Sequence, residues 1–444
     1  MAGKALLKKI VSPKQLIGEI AVPGDKSISH RALILNSLAN GSSQISNLSP
    51  GRDCLSTTTC LKALGVSITK ETGKEPVILI NGVGNTGFTE PKDILNAGNS
   101  GTTIRLLGGV LAAQPFLSII TGDSSLRSRP MKRLIEPIRL MGGEIYGRHN
   151  DSLAPLVIRG RRLHGINYTL PVPSAQIKSA ILLAGLLAEG DTTLQGQTSR
   201  DHTERLLKRM GANLEINGTR ISLAPLKTPL TAVDLHIPGD ISSAAYWLVA
   251  GAIHPNAHIK IINCGVNPTR TGVIDALLAM GANLKMENKR QEGDEPVADL
   301  CVQSSRLKGV EICGGLIPRL IDEIPLLAVA ACFAEGKTVI RDATELRIKE
   351  SDRIASTAKE LTRLGARIEE LPDGMVIYGT KKLLGAEVRS YSDHRLVMSL
   401  TVAGLVARGT TSIRNARVAE ISNPHFWQEL KELVRNSFEH GGSL

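Results

Sequence analysis

The chain has 444 residues, of which 42% are hydrophobic and 21% are charged, with 43 glycines, 21 prolines and a formal net charge of +11. This length and balance exclude a disordered chain and predict a globular protein with two or three domains and many turns. The positive charge calls for anionic partners, but only 3% of the residues are aromatic and long runs of lysine or arginine are missing. Small anions therefore fit better than nucleic acid.

Six cysteines are spread along the chain without a Cys-x-x-Cys pair, and the opening residues lack the apolar core of a signal peptide. We therefore expect reduced thiols in a cytoplasmic protein. The apolar stretch from Leu106 to Ile120 is interrupted by Gln114 and Pro115 and is too short to span a bilayer, so we expect no membrane role.

Taken in chain order, an apolar helix-like segment that ends in a turn and leads into a β-rich segment recurs six times. The turns lie at Gly41, Pro115, Gly190, Pro255, Gly336 and Gly409. One period of roughly 74 residues therefore covers the chain. Amphipathic segments ending in Leu-Gly or Met-Gly alternate with the apolar ones, which predicts two helices per repeat. We expect the apolar helices to be buried and the amphipathic ones to lie outside.

Two similar stretches divide the six repeats into halves. VPGDKSISHRA at residues 22–32 and IPGDISSAAYW at 237–247 share a Pro-Gly-Asp turn followed by a serine-rich helix start. We therefore expect an α/β fold with three repeats in residues 24–240 and three in residues 241–444. The strand in residues 1–23 would join the second domain, so that the chain crosses between domains near residues 23 and 240.

Polar side chains gather where the apolar helices begin, in five of the six repeats. These groups are Lys26, Ser27 and Arg31; the loop NAGNSGTTIR, with Ser100 or Thr102 as N-cap; Ser174, Gln176 and Lys178; Asp322 and Glu323; and Asp393, His394 and Arg395. A single helix start of this kind is usually a solvated cap. If equivalent helices pack side by side, however, their N-termini converge. Together with Lys26, Arg129 and Arg395 they would form an anion-binding cleft between the domains.

Other common active-site patterns are missing from the sequence. It contains no P-loop, HExxH or GxSxG motif and no cysteine and histidine spacing typical of a metal site, and the stretch GNSGTT does not match GxGxxG. Carboxylates therefore carry the possible acid–base chemistry. Asp322 precedes an apolar helix, and Glu350 lies beside Lys349 and Arg353 in RIKESDR. That segment fits either a tuned acid or base, or a solvent-facing helix start with ion pairs.

Eight ordered motifs resemble the 5-enolpyruvylshikimate-3-phosphate (EPSP) synthase family of enolpyruvyl transferases from end to end. They are PGDKSISHRALIL, NAGNSGTTIRLL, RSRPMKRL, PSAQIKSAILLAGL, SRDHTERLL, IDEIPLLAVAA, LRIKESDRI and YSDHRLVMSL. The resemblance implies two domains, each of three βαβαββ repeats in an inverse α/β barrel-like arrangement, with helix N-termini facing an interdomain cleft.

The resemblance also implies the reaction. The enolpyruvyl group of phosphoenolpyruvate would pass to the 5-hydroxyl of shikimate 3-phosphate with release of phosphate, a shikimate-pathway step toward chorismate and the aromatic amino acids, and the target of glyphosate. No metal or organic cofactor is implied, because protonation of phosphoenolpyruvate supplies the electrophilic carbon.

Matching motif positions assigns the site residues. Shikimate 3-phosphate would be held by Lys26, Ser27, Arg31, Ser174, Ser199, Asp322 and Lys349. Phosphoenolpyruvate would be held by Lys26, Gly101, Arg129, Gln176, Arg353 and Arg395. The catalytic residues would be Asp322, which accepts the hydroxyl proton, with Glu350 and Lys26 moving protons at the methylene carbon; Asp322 and Glu350 form a coupled pair whose roles are not divided. Gly101 would leave room for the ligand, and Arg105 would be structural, pairing with a neighbouring repeat.

Some features separate this chain from other members of the family, and three other functions remain as alternatives. Ile421 stands where some members carry lysine, whereas Gly101 is unencumbered, so the response to glyphosate stays open. An enolpyruvyl transferase acting on UDP-N-acetylglucosamine typically has a cysteine in the loop that reads GDSSLRSRP here. RNA 3′-phosphate cyclase is a more distant relative in its repeats, and a non-catalytic polyanion-binding protein is supported by the net charge alone.

Since the cleft lies within one chain, we expect a monomer that closes on its substrates.

Overall fold

The structure is a computed structural model that describes residues 7–71, 73, 76–85, 87–380 and 382–439, with backbone alone for 435–439. Contacts between residues divide the chain into two compact units. Unit 1 runs up to Pro23 and then comprises Pro238–Glu292 and the chain from Pro296 onward. Unit 2 comprises Gly24–Ile237 and Gly293–Glu295.

Helices occur in every repeat. They are α1 Lys26–Leu38, α2 Arg52–Ala63, α3 Gly101–Leu111, α4 Lys132–Leu140, the short α5 Arg148–Asp151, α6 Ala175–Gly185, α7 His202–Arg209, α8 Ile241–Ile253, α9 Gly272–Ala279, the short α10 Ile317–Leu320, α11 Ile324–Cys332, α12 Arg353–Arg363, α13 His394–Gly404 and α14 Phe426–Glu439.

The strands alternate with these helices. They are β1 Lys8–Val11, β2 Leu16–Ala21, β3 Asn40–Ser46, β4 Ser67–Glu71, β5 Val77–Val83, β6 Leu95–Asn96, β7 Leu117–Thr121, β8 Glu144–Gly147, β9 Leu153–Arg159, β10 Asn167–Thr169, β11 Thr192–Gln195, β12 Leu214–Asn217, β13 Arg220–Leu223, β14 Leu235–His236, β15 Ala257–Gly265, β16 Asn283–Glu292, β17 Glu295–Gln303, β18 Glu311–Ile312, β19 Lys337–Ile340, β20 Arg367–Leu371, β21 Gly374–Tyr378, β22 Glu387–Arg389 and β23 Thr410–Arg414.

Each repeat contributes one small mixed sheet. Unit 2 holds the strand orders β14-β3-β5-β4, β6-β7-β9-β8 and β10-β11-β13-β12, and unit 1 holds β16-β17-β15-β2, β18-β19-β21-β20 and β1-β23-β22. Every sheet contains one parallel pair, for example β10 with β11 and β18 with β19. The N-terminal strands lie in unit 1, where β1 pairs antiparallel with β23 and β2 pairs parallel with β15. The predicted α/β class with its repeated pattern is confirmed. The sheets are open, and none of them closes into a barrel in the part of the chain that the structure describes.

The apolar helices are buried, as their composition predicts. Every residue of α11 and α13 is buried, and in α8 the last residue alone is partly exposed. These three helices pack on one another in unit 1, and α3 packs on α6 in unit 2. A helix that is apolar on all sides has no face for solvent, so it must be surrounded by other elements.

The amphipathic helices end at glycines with left-handed backbone. Gly211 and Gly365 have φ of +93° and +88°, and an added Cβ at either position would meet no atom within 4 Å. Backbone conformation alone therefore requires glycine, as at the C-termini of many helices. This explains the recurrent Leu-Gly and Met-Gly pairs of the sequence. Among the described residues, none of the helices combines the length and the apolar character needed to cross a membrane.

Candidate functional site

Three capped helix N-termini lie together in unit 2. Asp25 caps α1 by accepting a hydrogen bond from the Ile28 backbone N–H at 2.9 Å. Ser100, one of the two predicted caps, accepts from the Thr103 N–H at 3.1 Å at the start of α3. Ser174 caps α6. Side-chain contacts join the first turns of α3 and α6, since Gln176 Nε2 donates to Thr102 Oγ1 at 3.0 Å.

Cationic side chains surround these N-termini. Lys26 Nζ lies 2.9 Å from Asp53 Oδ2, and both side chains are mostly buried. The guanidinium of Arg129, which is itself buried, donates to Asn99 Oδ1 at 2.6 Å. Helix N-termini and cations act in the same direction, so this part of unit 2 attracts anions.

Gly101 is the first residue of α3 and lies against two arginines. A Cβ built on it would lie 2.8 Å from Arg105 Nη1 and 3.5 Å from Arg129 Nη1. Arg105 donates to Gln176 Oε1 at 2.7 Å and to the Pro130 carbonyl at 3.1 Å. Arg105 thus pairs with a neighbouring repeat, as predicted. Crowding at Gly101 involves the Arg105 side chain, which the sequence pattern did not reveal.

The residues predicted to hold shikimate 3-phosphate in unit 2 belong to a second group of contacts. Arg31 Nε donates to Thr203 Oγ1 at 2.6 Å, and its Nη2 donates to Ser179 Oγ at 2.7 Å. Arg200 Nη1 donates to Ser27 Oγ at 3.2 Å. These contacts connect α1, α6 and the first turn of α7.

Arg353 is the centre of the site residues in unit 1. Its side chain is only 2% exposed. Nε lies 2.8 Å from Asp393 Oδ2, Nη2 lies 2.5 Å from Glu350 Oε2, and Nη1 lies 3.2 Å from Asp322 Oδ1. Burial alone would lower the pKa of this guanidinium, but the three carboxylates outweigh it and hold the pKa above its usual range. The alternative of a solvent-facing helix start is wrong for this arginine. Lys349 precedes Glu350 and is half-buried.

Arg395 lies in the first turn of α13 and is also buried. Its Nη2 lies 4.0 Å from Asp322 Oδ2 and its Nη1 lies 3.5 Å from Glu323 Oε1. Its Nε is buried without a hydrogen-bond partner among the described residues. Tyr246 faces it from α8, and burial raises the pKa of that phenol to about 12. A bound anion would satisfy the remaining donor of Arg395.

Several residues that shape the site were missing from the sequence-based assignment. Asp393 is fully buried, accepts hydrogen bonds from Arg353 and from the Arg395 backbone N–H, and caps α13. Its position before an apolar helix was the available signal, but the sequence did not show which arginine it binds. Asp53 and Tyr246 carried no signal, because their partners, Lys26 and Arg395, are distant from them in sequence.

The arrangement supplies two types of chemistry. Cations and helix N-termini in both units can bind phosphate and carboxylate groups, and Asp322 and Glu350 can exchange protons beside them. Three or more histidine, cysteine, aspartate or glutamate side chains grouped for a metal ion do not occur in the described part of the chain.

Comparison with known proteins gives a consistent result. The family model of EPSP synthase (3-phosphoshikimate 1-carboxyvinyltransferase) matches residues 10–430. A relative from Gloeobacter violaceus with the name 3-phosphoshikimate 1-carboxyvinyltransferase is 56% identical over 95% of this chain and 97% of its own length. A relative of the same name from Herpetosiphon aurantiacus is 52% identical over 96% of this chain and 99% of its own length.

Solved structures agree with these relatives. EPSP synthase from Acinetobacter baumannii superposes with a TM-score of 0.85 at 41% identity, covering 97% of this chain and 98% of that one. The enolpyruvyl transferase NikO from Streptomyces tendae, at 20% identity and a TM-score of 0.78 over 97% of this chain and 98% of its own, shares the fold. These end-to-end matches show that the chain belongs to the EPSP synthase family.

Proposed function

We propose that this chain transfers the enolpyruvyl group of phosphoenolpyruvate to the 5-hydroxyl of shikimate 3-phosphate and releases phosphate. This reaction belongs to the shikimate pathway, which leads to chorismate and the aromatic amino acids. The observation that carries the function is the 56% identity, over 95% of the chain, to a relative named 3-phosphoshikimate 1-carboxyvinyltransferase.

Both substrates are small anions, and the cationic groups of the two units support their binding. We assign phosphoenolpyruvate to Lys26, Gly101, Arg129, Gln176, Arg353 and Arg395, and shikimate 3-phosphate to Lys26, Ser27, Arg31, Ser174, Ser199, Asp322 and Lys349. Arginine suits this task because its forked donors match pairs of phosphate or carboxylate oxygens. The buried, unsatisfied Nε of Arg395 supports its assignment.

The reaction requires two proton transfers at phosphoenolpyruvate and one at the acceptor. A proton must reach the methylene carbon as the 5-oxygen bonds to the adjacent carbon, and the hydroxyl must lose its own proton. When the bond from that carbon to the phosphate oxygen breaks, the methyl group must return one proton. We assign the hydroxyl proton to Asp322 and the carbon protons to Glu350 and Lys26.

The position of Arg353 supports placing both carboxylates in the site. It binds Asp322 and Glu350 with different nitrogens, at 3.2 and 2.5 Å, and so holds both carboxylates beside the guanidinium that we assign to phosphoenolpyruvate. A group shared in this way couples the two titrations, so their pH dependence belongs to the pair.

We further propose that residues 24–240 and residues 1–23 plus 241–444 are the two domains. The division of contacts after residues 23 and 237 supports this. We also propose a cytoplasmic protein without nucleic-acid partners, based on cysteine usage and composition, and a monomer, because all the assigned site residues belong to one chain. Size-exclusion chromatography with light scattering measures the mass of the protein in solution. The mass of one chain is expected, and the mass of a dimer would contradict the proposed monomer.

The activity is tested by phosphate release from phosphoenolpyruvate with no acceptor, with shikimate 3-phosphate or with UDP-N-acetylglucosamine, and by mass analysis of the product. We expect phosphate release when shikimate 3-phosphate is the acceptor and no release in the other two reactions. The product should be heavier than shikimate 3-phosphate by one enolpyruvyl group. Release driven by UDP-N-acetylglucosamine would instead assign the chain a different acceptor.

A further inference from the structure

A buried ion pair joins α6 to α7 outside the residues assigned so far. Lys178 Nζ lies 2.5 Å from Glu204 Oε1, and the two side chains are 6% and 2% exposed. Burying two charges removes their hydration, so well-packed apolar residues would often stabilise the same place equally well or better. Stability alone therefore gives little reason for this pair.

The same ammonium also binds the backbone of a predicted substrate residue. Lys178 Nζ donates to the Ser199 carbonyl oxygen at 3.3 Å. The Ser199 hydroxyl is buried and has no hydrogen-bond partner among the described residues. An unsatisfied buried hydroxyl is costly, so a ligand that supplies a hydrogen-bond partner would be favoured at Ser199.

A second link runs beside this ion pair, one residue away on each helix. Ser179 Oγ and Thr203 Oγ1 lie 2.6 Å apart, and both accept hydrogen bonds from Arg31. One link therefore fixes the Arg31 guanidinium, and the other fixes the backbone at Ser199. Arg31 and Ser199 are both assigned to shikimate 3-phosphate.

We propose that Lys178 and Glu204 are positioning residues for the acceptor substrate. Glu204 orients the Lys178 ammonium, the ammonium holds the Ser199 carbonyl, and the Ser199 hydroxyl is thereby kept in place for the phosphorylated polyol. This inference rests on the proposed function, because it takes Ser199 as a ligand of shikimate 3-phosphate.

The test removes both charges together. The double variant Lys178→Met/Glu204→Leu leaves no uncompensated buried charge, so its fold should be retained; circular dichroism checks this. Calorimetric titration of shikimate 3-phosphate into the full chain, without phosphoenolpyruvate, should give a Kd raised about tenfold, the value of one hydrogen bond of ordinary strength. The KM for phosphoenolpyruvate should change less than about twofold, because the pair touches none of its assigned ligands.

A mutant cycle with Ser199→Ala separates positioning from a general structural effect. If the ion pair acts through Ser199, adding Ser199→Ala to the double variant should weaken binding no further. Effects that multiply, or a double variant that binds within twofold of wild type, would overturn the inference.

If the double variant does not fold, Lys178→Met/Glu204→Gln replaces it in the same cycle, since it also removes both charges and keeps the shape of the Glu204 side chain. Effects that multiply with Ser199→Ala, or binding within twofold of wild type, would again overturn the inference. A wild-type protein that fails to bind shikimate 3-phosphate would refute the proposed function and this inference with it. A wild type that binds, with an unaffected variant, would refute the inference alone.

Discussion

Replacing Asp393 by asparagine should weaken unit 1 and the site at the same time. Asp393 is fully buried and accepts hydrogen bonds from Arg353 Nε at 2.8 Å, Ser351 Oγ at 3.0 Å and the Arg395 backbone N–H at 2.9 Å. Asparagine has the same shape and one oxygen that can still cap α13. It loses the charge, however, and turns an NH2 group toward donors.

The structure gives the size of the effect. Removing one member of a buried ion pair costs about 3–5 kcal/mol, but Arg353 keeps Glu350 and Asp322 as partners. We therefore expect a loss of about 3 kcal/mol in the free energy of unfolding, near the lower end of that range. A displaced guanidinium also positions phosphoenolpyruvate poorly, so kcat/KM for this substrate should fall about 100-fold.

Tryptophan fluorescence during urea unfolding measures the stability of unit 1 selectively. The chain has two tryptophans, and both Trp247 and Trp427 lie in unit 1. Steady-state kinetics on the same samples gives kcat/KM. Loss of activity without loss of stability would refute the claim that the buried pair of Asp393 and Arg353 stabilises unit 1.

Asp352→Asn is the matched control. Asp352 also caps a helix and also binds an arginine, Arg347 at 2.7 Å, but its side chain is 38% exposed. Because solvent screens this pair, the loss should stay below about 1 kcal/mol. Equal effects of Asp393→Asn and Asp352→Asn on unfolding would refute the reasoning that burial makes the difference.

Three further changes have defined outcomes. Burial raises the pKa of Glu429 from 4.5 to about 7, and the hydrogen bonds from Asn423 and the Trp247 indole oppose this rise. The folded state therefore prefers the neutral acid, and the stability that this preference gives is lost as the pH rises from about 4.5 to 7. Glu429→Gln does not titrate, so its free energy of unfolding in urea should rise relative to that of wild type by about 2 kcal/mol between pH 5 and pH 8. Gly101→Ala should raise the KM for phosphoenolpyruvate about tenfold while changing stability by less than about 1 kcal/mol, since the added methyl displaces the flexible end of Arg105. Arg395→Lys should raise the same KM about 100-fold because lysine lacks the forked donors, and should leave binding of shikimate 3-phosphate alone nearly unchanged.

Each of these changes has its own control. Glu432→Gln, on the same helix as Glu429 but exposed, should show no comparable difference between the two pH values, and a parallel response would contradict the assignment to burial. Gly218→Ala, where an added Cβ meets no atom within 4 Å but φ is +60°, should affect stability without affecting KM. An Arg395→Lys variant that lost both substrates equally would point to a collapsed site instead of a lost ligand.

Local sequence pattern was sufficient to predict the helices, their ends and their burial, because each of these features is determined within one repeat. Apolar segments such as ISSAAYWLVAGAI predicted buried helices, and the structure places that segment in α8, almost entirely buried. Glycines such as Gly365 marked helix ends because the backbone there is left-handed. Helix burial and helix ends both depend on a few neighbouring residues, so they can be predicted from a single sequence.

Partners of buried charges could not be predicted in the same way. RIKESDR reads as a solvated charge cluster, and Arg347 and Asp352 do form a partly exposed pair. Arg353 in the same segment is buried against Glu350 of that segment and against Asp322 and Asp393 from two other parts of the chain. Only packing between repeats decides which charge is buried, and the same limit hid the contact of Lys178 with Glu204.

The central claim is that Asp322 and Glu350, two of the carboxylates that bind Arg353, move protons in the reaction. The most direct test measures phosphate release from phosphoenolpyruvate with saturating shikimate 3-phosphate, comparing wild type with Asp322→Asn. Asparagine keeps a hydrogen-bond acceptor for Arg353 but cannot take the hydroxyl proton. The account predicts a loss in kcat of about 10²–10⁴-fold with binding of shikimate 3-phosphate retained. An Asp322→Asn enzyme with kcat near that of wild type would contradict it.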